Sequence, residues 1–480
     1  MMSPFFRALL LASLFAVISS ETTCEDLGYT ESNYDAYIDH YGYTNQTFKM
    51  RYCFKDKHWR NNPANPGPIF FYCGNEAPIT TFIAASGYID YLAEDMGALV
   101  VFGEHRYFGK SMPFGRESFT KKNNTRYLSP HQALGDYAYL LSALKQLHYN
   151  APVIAWGGSY GGMLSAWFRM KYPNIVLGSI AASAPIMHFE GTVDPELFYE
   201  IVTNDYANAG PECSAIIRQG FDSLQKFVKD PNVYYELRET FNVCEEIIDE
   251  SDAQKITSWL ENAYVYMAMT DYPYKTNFLN PMPGNPVKVS CDAFQNITLN
   301  SGAWDVLKAM RKSAEVYYNY KGDKTCNNIR GGNSNLGEEG WDYLSCTTLA
   351  IPNGTGNKDM FPSNPWSKSA LDSYCIAAWG VSPQYNYAAD FYGTSEQPVN
   401  VLQYFSNIVF SNGSLDPWQS GAVLMSVSEN VIAFVMEGAA HHLDLRTPNA
   451  ADPIEVHQGR EIEKLAIQHW LEIDALERSS

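Results

Sequence analysis

Five residues constrain the fold more than any other stretch of this chain: Gly157-Gly158-Ser159-Tyr160-Gly161. They fit G-x-S-x-G, in the surroundings that pattern needs. Before them, Pro152–Trp156 reads as a short buried strand; after them, Met163–Tyr172 carries helical spacing. A strand that turns at once into a helix strains the residue between. Glycines two positions to either side let the chain close without a clash. Ser159 Oγ is then lifted clear at the C-terminal edge of a sheet, and the Tyr160 N–H, at a helix N-terminus, becomes an oxyanion donor. A Gly-rich turn with a bystander serine would ask for no partner residues. A serine nucleophile asks for two.

Those two are an imidazole base and a carboxylate that orients it, in the chain order Ser, Asp, His. Asp416 follows the apolar strand Asn407–Phe410, in Asn412-Gly413-Ser414-Leu415-Asp416-Pro417-Trp418. Asn-Gly before it and proline after it predict a sharp loop. His441 follows the strand Val431–Met436, in Gly438-Ala439-Ala440-His441-His442. Alone, each is an ordinary loop residue. In this order and at these strand ends, they complete the set.

The rest of the chain supplies the scaffold. Gln46–Tyr52, Pro68–Tyr72, Ala98–Phe102 and Leu177–Ala182 read as strands, with helices at Tyr88–Met96 and Leu134–Leu147. Such alternation predicts an α/β fold with a mostly parallel sheet covered on both faces. After about Glu190 only helices follow: Pro195–Asn208, Ala215–Lys229, Asp252–Met269 and Ala303–Tyr320, then a Gly- and Asn-rich loop at Asn327–Gly340. From Asn407 the α/β rhythm resumes, with a helix expected near Gly421–Val427 and a closing helix at Val456–Leu476. The parse is one α/β-hydrolase domain, residues 21–190 and 391–480, carrying a helical, disulfide-bearing insertion at 191–390. Leaving from the strand edge, that insertion should lie over the site as a lid.

Residues 1–20 read as a secretory signal peptide: Arg7, an apolar run Ala8–Ile18 too short to span a bilayer, then Ser19 and Ser20. No membrane anchor is expected. Sequons at Asn45, Asn123, Asn296 and Asn353 should carry glycans. A fifth, at Asn412, lies in the acid loop, where a glycan would crowd the site, and is expected bare. None of the nine cysteines forms C-x-x-C, which argues for disulfides over zinc, with one thiol left over. A net charge of −19 excludes nucleic acid and anionic membranes as partners. No metal or cofactor is expected.

Gly157–Pro173, Ala181–Pro185, Asn412–Trp418 and Ala440–Arg446, with Cys73–Glu76, Glu104–Gly115 and Asp271–Leu279, resemble the family of lysosomal Pro-X carboxypeptidase and dipeptidyl peptidase II. The likeness runs from about residue 35 to the C-terminus. It implies a serine exopeptidase cleaving short proline-containing peptides, with Ser159 as nucleophile, Asp416 as acid and His441 as base. It also implies the pairs Cys213–Cys291, Cys244–Cys326 and Cys346–Cys375, leaving Cys24, Cys53 and Cys73 unassigned. The loop expected to hold the second oxyanion donor, here Asn75, departs from the family pattern at Cys73 and Ala77.

Proline specificity needs a flat apolar pocket. Met163, one helical turn past Ser159, and Trp418, two residues past the acid, can reach it; helix core and loop packing are the alternatives. Glu76 either holds a substrate ammonium or caps its loop. Arg446, with His442, is read as tuning the base, since a nearby cation disfavours imidazolium and keeps His441 basic in acid. The rival reading makes both structural, with Arg446 paired to Asp444 or to a sheet-end carboxylate. The short stretch between Cys326 and Cys346 lacks an acidic, cysteine-bounded loop like that of dipeptidyl peptidase II, which favours the carboxypeptidase. Asn285–Asp292 looks closer to the other branch, so release of N-terminal Xaa-Pro dipeptides is the alternative. A lipase or esterase would expose a broad apolar lid face, and an inactive relative would have a broken triad. Whether the chain forms a homodimer, and whether it ends in the lysosome or outside the cell, stays open.

Overall fold

The computed structural model describes residues 22–331, 337–393 and 398–479. The expected signal peptide and part of the expected loop at 327–340 lie outside them. In chain order come β1 (Thr30–Tyr37), β2 (Thr47–Lys55), β3 (Ile69–Cys73), α1 (Ile79–Ala85), α2 (Gly87–Met96), β4 (Leu99–Gly103), α3 (Pro130–Leu147), β5 (Val153–Gly158), α4 (Tyr160–Lys171) and β6 (Gly178–Ala182). Then follow α5 (Leu197–Ala209), α6 (Cys213–Phe227), α7 (Tyr234–Phe241), α8 (Glu250–Met269), α9 (Pro286–Cys291), α10 (Ala303–Tyr318), α11 (Glu338–Ser345), α12 (Lys368–Ala378), α13 (Tyr387–Tyr392) and α14 (Pro398–Leu402). The chain closes with β7 (Ile408–Gly413), β8 (Val431–Met436) and α15 (Ile454–Ser479).

Among the described residues one sheet holds all eight strands, in the order β1-β2-β4-β3-β5-β6-β7-β8. The β1–β2 and β2–β4 pairs are antiparallel; every pair from β4 through β8 is parallel. This is the mixed, mostly parallel sheet of an α/β-hydrolase. Strands buried on both faces read as unbroken apolar runs, and β3 (IFFYC) is buried at every position. Alternation still sorts its side chains: Phe70 and Tyr72 join one core cluster, Ile69, Phe71 and Cys73 the other. Helices α1, α2 and α15 contribute to the first cluster, α3 and α4 to the second.

Parallel strands bring their carboxyl ends to one edge, and ligand-binding loops gather there. The loops after β3, β5, β7 and β8 carry Asn75, Ser159, Asp416 and His441 in turn. The residues 191–390 follow the carboxyl end of β6, at this edge, and lead back to the amino end of β7, which runs parallel to β6 and so starts at the opposite edge. They are not of one piece. Helices α5, α6, α8 and α10 share the first apolar cluster with the sheet, whereas α11 and α13 join the second, where Tyr392 stacks on Trp167 of α4 at 4.0 Å.

Two expectations are corrected. The expected helix near 421–427 is absent: Gly421 closes a short 3-10 turn of Pro417–Gly421, and residues 422–427 are irregular. The backbone here is spent on tertiary bonds, with Gly421 O accepting from Met187 N–H, Val423 O from the Asn412 amide, and Val427 N–H donating to Val431 O. Asn412-Gly413 does not make the acid turn; it ends β7, so the sharp loop begins only at Ser414. Four disulfides staple the chain: Cys213–Cys291, Cys244–Cys326, Cys346–Cys375 and also Cys24–Cys53, with Cys73 a buried free thiol. Asn45, Asn123 and Asn296 are exposed and Asn353 half-buried, while Asn412 is buried. Among the described residues no helix is long and apolar enough to cross a membrane.

Candidate active site

Ser159 stands between β5 and α4 at φ 60°, ψ −129°, a backbone that L-residues avoid. Its N–H donates to Ala182 O at the end of β6, and its carbonyl receives the Met163 N–H that starts α4, both at 2.9 Å. The glycines are steric necessities. A Cβ on Gly157 would lie 2.0 Å from Gly161 O, and one on Gly161 would lie 2.7 Å from Cys73 O. Gly158 touches the base loop: a Cβ there would meet the His442 ring at 2.9 Å.

His441 Nδ1 lies 2.8 Å from Asp416 Oδ2, and both side chains are essentially without solvent contact. The other Asp416 oxygen accepts the Trp418 N–H at 3.0 Å, which fixes the carboxylate plane. With Nδ1–H given to a carboxylate, Nε2 is the ring's free acceptor, the tautomer general-base chemistry needs. The two loops also hold each other, since Ser414 Oγ accepts the Gly438 N–H at 2.9 Å.

The surroundings of Tyr160 are equally built. His105 is fully buried, and its Nδ1 lies 2.6 Å from Arg106 O, which can only accept. Its Nε2 therefore accepts from the Tyr160 hydroxyl at 3.0 Å. Burial brings the His105 pKa down to about 4, so the ring stays neutral in that role. Trp341 of α11 packs edge-on against the Tyr160 ring. Glu104 anchors the neighbouring loop, its oxygens receiving N–H bonds from Ile79, Lys110 and Ser111 as well as the Arg51 guanidinium. Asn75 is buried with Oδ1 beside Gly161, and Glu76 follows, buried too, with Oε2 unpartnered. Burial pushes the Glu76 carboxyl up, against the opposing pull of the loop backbone, the Asn75 amide and His441.

Met163 is buried in the second core cluster, and Trp418 is half-buried, edge-on to the rings of His188 and Phe198. Arg446 does not pair with Asp444. Its guanidinium lies over the Tyr272 and Tyr274 rings and donates to Thr276 Oγ1. Its charge acts on His442, whose pKa is held well below the usual histidine value by burial, then by His441 and Arg446. Besides His105 and Glu104, three further residues near the site carried no sequence-based role. Asp205 on α5 is buried, with its pKa raised to about 9 by burial and by the charges of Asp271 and Asp416. Met269, the last residue of α8, and Tyr272, three residues beyond it, bond directly to His441. Tyr272 stood inside a recognisable motif, Asp271–Leu279, but nothing in that text says which loop it meets.

A serine on a strained strand-to-helix turn, with a buried Asp–His pair at the same edge of an α/β-hydrolase sheet, defines a serine hydrolase. The sequence places it more finely: residues 36–463 match the family model for serine carboxypeptidase S28, and the chain belongs to that family of serine-type exopeptidases. It is 40% identical over 440 residues to a lysosomal Pro-X carboxypeptidase of Homo sapiens, covering 90% of this chain and 86% of that one. The Bos taurus lysosomal Pro-X carboxypeptidase is 39% identical over 442 residues, with the same coverage. Among solved structures, an acetylester hydrolase from Corynebacterium glutamicum matches with TM-score 0.43 and 10% identity, covering 94% of this chain and 98% of that one.

Proposed function

We propose that this chain removes the C-terminal residue from peptides whose penultimate residue is proline, with Ser159 as nucleophile, His441 as base and Asp416 as its orienting acid. The observation that carries the reading is the buried 2.8 Å His441–Asp416 pair at the sheet edge that bears the elbow serine. Ser159 Oγ attacks the prolyl carbonyl as His441 Nε2 takes its proton. The Tyr160 N–H, with a second donor from the Asn75 loop, stabilises the oxyanion, and His441 returns the proton to the leaving amine. Water then frees the acyl-enzyme by the same route.

Trp418, held between His188 and Phe198, offers a flat face for the proline ring, and Met163 lies in the floor behind the nucleophile. The matched relatives, covered along most of their length, are Pro-X carboxypeptidases, and a carboxypeptidase needs no ammonium site, so Glu76 is assigned to the loop rather than to substrate. Their lysosomal names, the disulfides and the N-terminal signal pattern support a lysosomal location. The exposed sequons at Asn45, Asn123 and Asn296 are the proposed glycan sites, with half-buried Asn353 the fourth.

The test is direct. An N-blocked peptide ending in Pro-Phe and an Xaa-Pro-arylamide are offered at about pH 5 and about pH 7. Release of phenylalanine from the first is expected, and Ser159→Ala should lower kcat by about 10⁴-fold or more. Cleavage of the arylamide alone, or a fully active Ser159→Ala, would defeat the reading.

A further inference from the structure

The base loop has little of its own to hold it. Gly438, Ala439 and Ala440 offer no side-chain hydrogen bonds, Gly438 sits at φ 72° and His442 at φ 39°. Yet both peptide groups of His441 are tied, and both ties go to the same short stretch of chain. The His441 N–H donates to Met269 O at 3.1 Å, and the Tyr272 hydroxyl donates to His441 O at 2.9 Å. That stretch closes α8, far from the strands that carry Ser159 and Asp416. Met269 reaches the acid loop as well, its sulfur accepting the Trp418 indole N–H at 3.2 Å.

The donor is itself well fixed. Tyr272 is fully buried, packed with Met436, Ala439, Ala440 and Leu443 around the root of the base loop. Its backbone is pinned on both sides: the Tyr272 N–H donates to Thr270 O and Asn285 N–H to Tyr272 O, each at 2.7 Å. Arg446 covers the ring at 4.5 Å and holds it in place by a cation–π contact. An imidazole displaced by about 1 Å can lose about 10²-fold in rate. The neighbours of His441 have ties of their own: Gly438 N–H to Ser414 Oγ, Leu415 N–H to Ala439 O and His442 N–H to Ser183 Oγ. The bonds at the peptide groups of His441 itself come from Met269 and Tyr272, and their loss is where such a displacement would start.

We infer that Tyr272 is a positioning residue for the base, and that the end of α8 is a fixed part of the active site rather than a detachable cover. The inference rests on His441 being that base. Tyr272→Phe keeps the ring, its packing and its contact with Arg446, and removes only the hydroxyl. It should lower kcat by about 10-fold or more while KM stays within about 2-fold, with the melting temperature little changed. Tyr274→Phe, which also lies under Arg446 but makes no bond to His441, should leave kcat and KM as in the wild type. A wild-type kcat in Tyr272→Phe, with His441→Ala inactive, overturns the inference and leaves the proposed triad standing. An active His441→Ala overturns both. Should Tyr272→Phe fail to fold, hydrogen exchange of the wild-type chain decides: amides of residues 438–443 exchanging in step with the end of α8 support the tie, and faster exchange there rejects it.

Discussion

Glu76 shows how one buried side chain can set a working range. Its carboxyl faces Tyr160, Tyr72, Tyr266 and His441, with Asn75 beside it, and burial favours the neutral form. As pH rises the group ionises, and a buried anion then acts on Tyr160 and His441, where the proposed mechanism already develops negative charge on the oxyanion. Activity should therefore fall on the alkaline side. Glu76→Gln copies the neutral acid and cannot ionise, so its kcat should hold to higher pH; superimposable alkaline limbs in the two kcat–pH profiles would reject this. At this scale the sequence was most legible where geometry forces residue type. G-x-S-x-G leaves few alternatives, and strand-end loops narrow the choice of Asp416 and His441. It was least legible for His105, Glu104 and Asp205, whose chemistry comes from neighbours distant in the chain. Arg446 lay between: its closeness to the base was readable, but not that its charge falls on His442.

Element by element, the strands that core formation dictates were readable and those at the margins were not. β3, β4 and β5 are apolar at nearly every position, and their expected bounds fall within two residues of the observed ones. β1 (TESNYDAY) has one fully buried residue, Ala36, because it is an edge strand; its pairing with β2, not its composition, makes it a strand. The turn between β5 and α4 has to fit against a second element as well as close upon itself. Gly158 backs onto His442, whose ring is 3% exposed and has nowhere to go. Gly158→Ala should thus cost about 1–3 kcal/mol of stability by overpacking and, by moving the base loop, lower kcat at least about 10-fold. Thermal melts and steady-state rates check this. A variant as stable and as fast as the wild type would mean that the two loops give more freely than their packing indicates.

The molecule as a whole is tied together behind its active site. Periodicity predicted the helices between β6 and β7 but not which core they join, since a helical stripe reads the same whether its partner is another helix or the sheet. In the fold α5, α6, α8 and α10 share the sheet's cluster, and the chain at the end of α8 grips His441, so these helices and the sheet should unfold together. Beneath the base loop lies a buried acid pair. Glu463 of α15 and Asp444, two residues past His442, are both without solvent exposure, and the Ser411 hydroxyl donates to Asp444. Arg460 offers no full compensation, because its guanidinium is engaged by Asp452 and by the carbonyls of Leu443, Asp444 and Arg446. Burial, then the Asp444 charge and its hydrogen bond, push the Glu463 carboxyl well above its usual range. The native chain therefore keeps a proton that the unfolded chain releases near the ordinary glutamate pKa of about 4.3. Its stabilising contribution is complete below that pKa and is lost as pH rises toward the folded value, at about 1.4 kcal/mol per pH unit for one proton. Urea unfolding of the wild type should show stability falling from acid toward neutral pH. In Glu463→Gln, which is neutral at every pH, that part of the slope should vanish; an unchanged slope would place the proton elsewhere.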